Sequence, residues 1–371
     1  SNHVCPGTST TLTNTFGGGL WSSSPLTIAA IGSSTGLLTG VAVGIATTTY
    51  ILPTGCYAVL PVTVNPIPGA ISGPPTVCIG VSATLTNATS GGTWSDPSYT
   101  SIATVGSTTG IVCGVAAGNA LITYTITSTG CKTTKAITVD AIPTSITPAT
   151  GSVCIGATIT YFGSPIGGTW SSTAGGAGGS VSVNSTSGDV TGVSSGTVTV
   201  VYTLPSGCSL SGILTVNPLP SPISGPTHVC VGGSITLTDA AAGGTWSATN
   251  SNAGVTGSGT TGTVTGAVAG IDTILYTVTG GCAASYVITI DPTPAPIIVA
   301  PTVCVGDFTI ASDIDPGTWS ISSPGLRADI NSTSGVVTGI SAGAATITFT
   351  SIWGCVRTTP ITVVAGPLPI T

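Results

Sequence analysis

The sequence predicts an all-β chain of five tandem β-sandwiches in a linear array. Three observations predict it. A Cys-to-Trp unit recurs five times at a near-constant period. Each unit holds about seven short alternating segments separated by turn residues. Strong helix formers other than Ala and Leu are scarce.

The repeat justifies the first point. Val-Cys-x-Gly, or close to it, recurs at Cys5, Cys78, Cys154, Cys230 and Cys304, a period of roughly 75 residues. A Gly-rich turn leads to Trp21, Trp94, Trp170, Trp246 and Trp319, each at nearly the same offset after its Cys. A Thr-Gly-x-x-x-Gly motif follows, as in Thr109-Gly110-Ile111-Val112-Cys113-Gly114. An alternating strand then carries Tyr50, Tyr124, Tyr202, Tyr276 or Phe349. Gly-Cys comes next, at Cys56, Cys131, Cys208, Cys282 and Cys355. A last strand and a Pro-rich linker close each unit, giving domains at 1–66, 67–141, 142–218, 219–292 and 293–371. Alternation such as Ile-Thr-Val implies one buried and one wet face. The five Trp are expected in the cores; a sugar-stacking role would need them exposed.

Composition bounds the function. Only 4% of residues are charged, with four basic residues and ten acids, all of them Asp. Nucleic-acid binding and polybasic membrane attachment both need clustered Lys and Arg, and are excluded. No run of about 20 apolar residues is present, so no membrane insertion is expected. Disorder is the rival reading of so much Gly, Pro and Ser. The 41% hydrophobic content and the regular aromatic columns argue against it. The chain has no Met and no signal-like start, which reads as a processed secretory product or a segment of a longer chain. A surface with so few charges is expected to be covered by glycans or buried in an assembly.

Trp94-Ser95, Ser101-Ile102-Ala103-Thr104-Val105, Thr109-Gly110 and Gly114-Val115-Ala116-Ala117-Gly118 together resemble the bacterial immunoglobulin-like group 2 domain. Trp319-Ser320, residues 334–339 and residues 342–348 repeat the likeness, which covers all five units. The resemblance implies immunoglobulin-like sandwiches of bacterial surface proteins, adhesin stalks among them, without catalytic residues. The two Cys columns depart from the usual pattern and are more similar to repeat proteins secreted by Bacteroidota-like bacteria.

Eleven Cys form five couples and one remainder. The expected bridges lie within units: Cys5 with Cys56, Cys78 with Cys131, Cys154 with Cys208, Cys230 with Cys282, and Cys304 with Cys355. Such bridges belong to an oxidising compartment, so a secreted or cell-surface location is expected. Bridges across linkers, such as Cys56 with Cys78, are one alternative. Zinc is another, though CxxC spacing and His partners are missing. Cys113 replaces the Thr of positions 39, 191, 265 and 338, either as a small strand residue or as an intermolecular bridge.

No cofactor, metal or enzymatic constellation is read. His3 and His228 occupy equivalent linker places. Asp313-x-Asp315 is a weak cation pattern. The Gly run over residues 175–179 lacks the Lys and helix of a phosphate loop. Asn87, Asn184 and Asn331 begin N-glycosylation sequons.

The function expected is a structural extracellular rod, stalk or filament. The alternative is an adhesin binding a glycan or protein through one module's loops, for which Trp353 and Arg357 are the hint. Internal linkers, such as Asn217 to His228, are nearly constant in length. The segment after Val363 and the three residues before Val4 together nearly complete one more. The tail Pro367-Leu368-Pro369-Ile370 matches Pro218-Leu219-Pro220. Copies are therefore expected to join head to tail through Gly366, Pro367, Leu368, Pro369, Ile370 and Thr371, with strand addition to an open sheet edge.

Overall fold

The computed structural model describes residues 2–97, 101–174, 178–322 and 324–366. Among them, every regular element is a strand. Repeat 1 contains β1 (His3–Val4), β2 (Ser9–Thr11), β3 (Leu20–Ser24), β4 (Ala29–Ile31), β5 (Leu37–Gly40), β6 (Gly44–Ile51) and β7 (Tyr57–Val64). They form a four-stranded sheet, β1-β7-β6-β3, and a three-stranded sheet, β2-β5-β4. The same pair of sheets recurs in the other four repeats, and repeat 3 adds a two-stranded sheet. The β6–β7 hairpin is antiparallel, whereas β1 runs parallel to β7, His3 opposite Thr63 and Val4 opposite Val64.

The motifs explain themselves in the packing. In repeat 2, Trp94 and Tyr124 meet at 4.7 Å between ring centres. They sit in a cluster with Leu85, Val112, Ile122, Ile137 and Val139. The Tyr124 hydroxyl accepts from Gly92 N–H at 3.0 Å and donates to the Thr89 carbonyl at 2.7 Å. A buried phenol needs such partners, and the Gly-rich turn supplies both. The first Gly of the Thr-Gly-x-x-x-Gly motif, Gly110, has φ +67°, and a Cβ there would lie 2.5 Å from the Leu85 carbonyl and 2.9 Å from the Trp94 ring. The second, Gly114, lets the Cys78 carbonyl approach; a Cβ would lie 2.6 Å from it. The spacing in the sequence is thus a contact pattern around one Trp.

Truncating Trp94 to Ala should cost the repeat 2 core roughly 3–5 kcal/mol. Hydrogen exchange should show lost amide protection in the strands of repeat 2, with those of repeats 4 and 5 unchanged.

Candidate assembly interface

The site that the fold builds is the joint between successive repeats. Each linker leaves a last strand and docks into the next repeat. Ile71, Ile146 and Ile223 are buried in the cores of repeats 2, 3 and 4, and Ile297 packs against that of repeat 5. Each stands seven residues after a buried last-strand residue: Val64, Val139, Val216 and Ile290. A Pro four residues after that residue is buried each time: Pro68, Pro143, Pro220 and Pro294.

The residue after each docked Ile extends the sheet edge. Ser72 and Thr86 exchange both backbone hydrogen bonds, at 2.9 and 3.0 Å. Ser224 with Thr238 and Ile298 with Ser312 do the same. In repeat 3 the contact grows into the extra sheet, Ser145–Thr147 against Phe162–Ser164. Side chains clamp the linker from outside. Lys135 Nζ donates to the Gly73 carbonyl at 2.7 Å, and the Tyr286 hydroxyl donates to that of Gly225 at 2.6 Å. Asn87 Nδ2 donates to the Gly69 carbonyl, and Asp315 Oδ2 accepts from Ala295 N–H at 3.1 Å.

Covalent bonds cross every joint. The bridges are Cys5–Cys131, Cys78–Cys208, Cys154–Cys282 and Cys230–Cys355, at sequence separations of 126, 130, 128 and 125. This corrects the expected pairing within units, and Cys56 and Cys304, both expected in bridges, are exposed thiols. The reason is the parallel first strand. Cys78 lies opposite Asp140, Cys154 opposite Asn217, Cys230 opposite Asp291 and Cys304 opposite Val364. The other Cys of each unit stands nine residues before that partner, roughly 30 Å back along an extended strand. A disulfide needs Cα atoms within about 7 Å, so the two Cys of one unit are out of reach. They sit at opposite ends of the sandwich. The hairpin Cys of each following repeat therefore meets the first Cys of the repeat before it. Cys131 Sγ packs 3.7 Å from the Asn65 carbonyl, and Cys208 Sγ lies 3.8 Å from that of Asp140.

The joint between repeats 4 and 5 has an added contact. His228 stacks on Trp353 at 3.9 Å with planes 5° apart, and its Nδ1 lies 2.9 Å from Asp291 Oδ2. Trp353, the hint of an adhesive loop, thus faces a neighbouring repeat.

Repeat 1 presents a groove at the place where the other repeats take a linker. It is a cavity of about 540 Å³ lined in part by Leu12, Thr13, Trp21, Tyr50, Val59 and Leu60. Thr13 stands eight residues after its Cys, as Thr86, Thr238 and Ser312 do. Among the described residues it has no strand partner. Leu60 takes the place of the clamps Lys135 and Tyr286 and is 38% exposed. Trp21, expected in a core, is only half-buried, whereas Trp94, Trp170, Trp246 and Trp319 are 5–8% exposed.

The remaining expected sites are dispersed. Asn184 and Asn331 are exposed, and their side-chain oxygens cap turns by accepting from Thr186 and Thr333 N–H. Cys113 is half-buried in its strand. Gly366 is exposed; Pro367, Leu368, Pro369, Ile370 and Thr371 lie outside the described residues, as do Gly175 and Gly176 of the Gly run. Among the described residues no cluster of His, Cys, Asp or Glu could hold a metal. Asp313 Oδ1 instead accepts from Asp315 N–H. The docked Ile column, the clamps and the crossed bridges were missed in the sequence. The constant seven-residue offset and the constant nine-residue spacing were the signals.

No protein-family model matches the chain, and no curated protein matches it. Among solved structures, the human desmocollin-1 ectodomain is 11% identical over 97% of this chain and 96% of its own, with a TM-score of 0.18. Sidekick-1 immunoglobulin domains 1–5 are 13% identical over 98% of this chain and 96% of theirs, with a TM-score of 0.20. The C-terminal 282-residue fragment of intimin, in complex with the intimin-binding domain of its translocated receptor, is 16% identical over 40% of this chain and 64% of its own, with a TM-score of 0.31. Scores this low carry no weight for role, and the fold rests on the strand order above.

Digestion without reduction should release the four crossed pairs as linked peptides in mass spectrometry. A Cys5–Cys56 or Cys78–Cys131 peptide would contradict the joint geometry.

Proposed function

We propose that the chain is an extracellular structural protein whose five immunoglobulin-like modules, bounded at 1–66, 67–141, 142–218, 219–292 and 293–371, form a stiff rod and join copies head to tail. The joint carries this reading. Each linker fills the next core, extends its sheet and is locked by a bridge, so successive modules behave as one body. Four disulfides belong to an oxidising environment outside the cytoplasm. The likeness to bacterial immunoglobulin-like group 2 residues supports a bacterial surface.

The register supports joining. Ile370 stands seven residues after the buried Val363, as the docked Ile residues do, and Pro367 stands four after, with the buried Pro column. In this register Pro367 is the counterpart of Pro220, not of Pro218. In the groove of another copy, Leu12, Trp21 and the open backbone of Thr13 stand where repeats 2, 4 and 5 receive a docked Ile and the residue after it. A head-to-tail contact of this kind does not close on itself and builds a fibre. Asn184 and Asn331 stay accessible to glycans on such a rod, whereas Asn87 is committed to its joint.

Deleting residues 366–371 should abolish filaments in electron micrographs, and Ile370→Asp should do the same. Filaments unchanged by the deletion would refute the docking. Adding a synthetic peptide of residues 364–371 to the deleted chain should shift Trp21 emission to the blue, because docking buries that ring.

A further inference from the structure

Repeat 1 differs from the other repeats on the outer face of its four-stranded sheet. Trp21 and Tyr50 pair and point inward, so their chain neighbours Leu20 on β3 and Ile51 on β6 point outward. Leu20 lies opposite Ile51, and Ile51 lies opposite Tyr57 on β7. The three make one apolar row across the sheet. The same row reads Thr93, Thr125, Lys132 in repeat 2 and Thr169, Thr203, Ser209 in repeat 3. It reads Thr245, Thr277, Ala283 in repeat 4 and Thr318, Thr350, Val356 in repeat 5. Two threonines begin each of those four rows, as suits a wet face. Repeat 1 replaces them with Leu and Ile and ends its row on an aromatic ring. Phe16, Leu20, Ile51, Tyr57 and Val59 are 42–70% exposed. Phe16 and Tyr57 border one cavity at the hairpin tip, and Val59 carries the face to the rim of the groove. This exposure does not depend on what stands before repeat 1. Repeats 2 to 5 each have a repeat seated before them, and the first and last positions of the row are exposed in all four.

We propose that this face binds the same face of a second copy, pairing two chains side by side about a two-fold axis. The chemistry selects the occupant. A face without charge offers nothing to a charged partner, and its complement within the chain is itself. The five side chains expose roughly 500 Å² per copy, the size at which an apolar patch marks a contact site. Two such faces together withdraw about 1,000 Å² from water, the lower bound for a specific interface. Sheets stack readily in this way, face to face with their side chains interdigitated. The Tyr57 hydroxyl stands at the edge of the row, where it keeps its water. Lys132 shows why repeat 2 cannot pair likewise: its ammonium would lose its water against an uncharged sheet. A two-fold contact closes after two copies. It uses a lateral face and is independent of head-to-tail joining.

The test uses the full chain carrying Cys56→Ser, Cys304→Ser and Ile370→Asp, so that neither thiol exchange nor end-to-end docking joins copies. Sedimentation velocity at micromolar concentrations should show a two-chain species in equilibrium with single 35.7 kDa chains. Installing the repeat 2 row, by Leu20→Thr, Ile51→Thr and Tyr57→Lys, should raise the dissociation constant by about 100-fold or more. Its melting curve should match that of the parent chain, since repeat 2 folds with the same row. Tyr57→Lys alone, at a position too exposed to support the core, should weaken pairing in the same direction. Parent chains that stay single up to about 1 mM would overturn the proposal. So would pairing that both row variants leave unchanged. Single chains that bind phosphatidylcholine vesicles, and lose that binding with the row, would also overturn it, by showing a lipid surface as the occupant.

Discussion

The parallel pairing of each repeat's first strand with its last is the constraint on which the joints depend. In a hairpin the two strands end at opposite tips, but parallel partners end at the same tip. Val4 beside Val64 therefore delivers Cys5 to the tip from which the linker departs. The hairpin Cys is left at the other tip, facing the previous repeat. Bridges between repeats follow from this polarity, as does the burial of the hairpin Cys. Each bridge closes a long loop, worth about 5 kcal/mol in the chain-entropy model for a single loop. Because each loop overlaps the next, that stabilisation is shared by neighbours and belongs to no single repeat.

Much of the repeat was legible in the sequence because its motifs are short-range contacts. Trp94, Gly110, Gly114 and Tyr124 fall in one short stretch of chain and serve one core. The strand alternation, the turn glycines and the Pro-rich linkers fall in the same class. The Cys couples misled because they were paired by nearness in sequence, Cys5 with Cys56, when each bond reaches into the following repeat, Cys5 to Cys131. Strand direction decides that pairing, and periodicity gives no direction: a parallel first strand and an antiparallel one share the same alternating pattern. The groove on repeat 1, lined by Trp21, Leu12 and Leu60, required the fold, because its residues come together only when separate strands pack.

The joints also show how a chain with so little charge is held in register. Lys135, Tyr286, Asn87 and Asp315 are chemically unlike, yet each fixes a backbone group of an incoming linker. The buried Ile supplies the common apolar anchor, and the clamp varies freely around it. His228 against Trp353 and Asp291 is a further local solution at one joint. Such variation is expected where the backbone carries the specificity and side chains only secure it.

The interleaved bridges set how far the molecule can be pulled. Between Cys5 and Cys304 a free chain drawn taut has a contour of about 1,000 Å. With the bridges intact the tension runs from Cys5 across to Cys131 and along the chain to Cys154. From there it crosses to Cys282 and follows the chain to Cys304. Those two chain segments together reach about 150 Å at full extension. Much of their length is already extended in last and first strands, so little slack exists to release. A second track, from Cys56 through Cys78, Cys208 and Cys230, runs alongside the first. Unfolding a repeat therefore lengthens the chain between Cys5 and Cys304 hardly at all, and a load meets covalent bonds before it can unravel a sandwich.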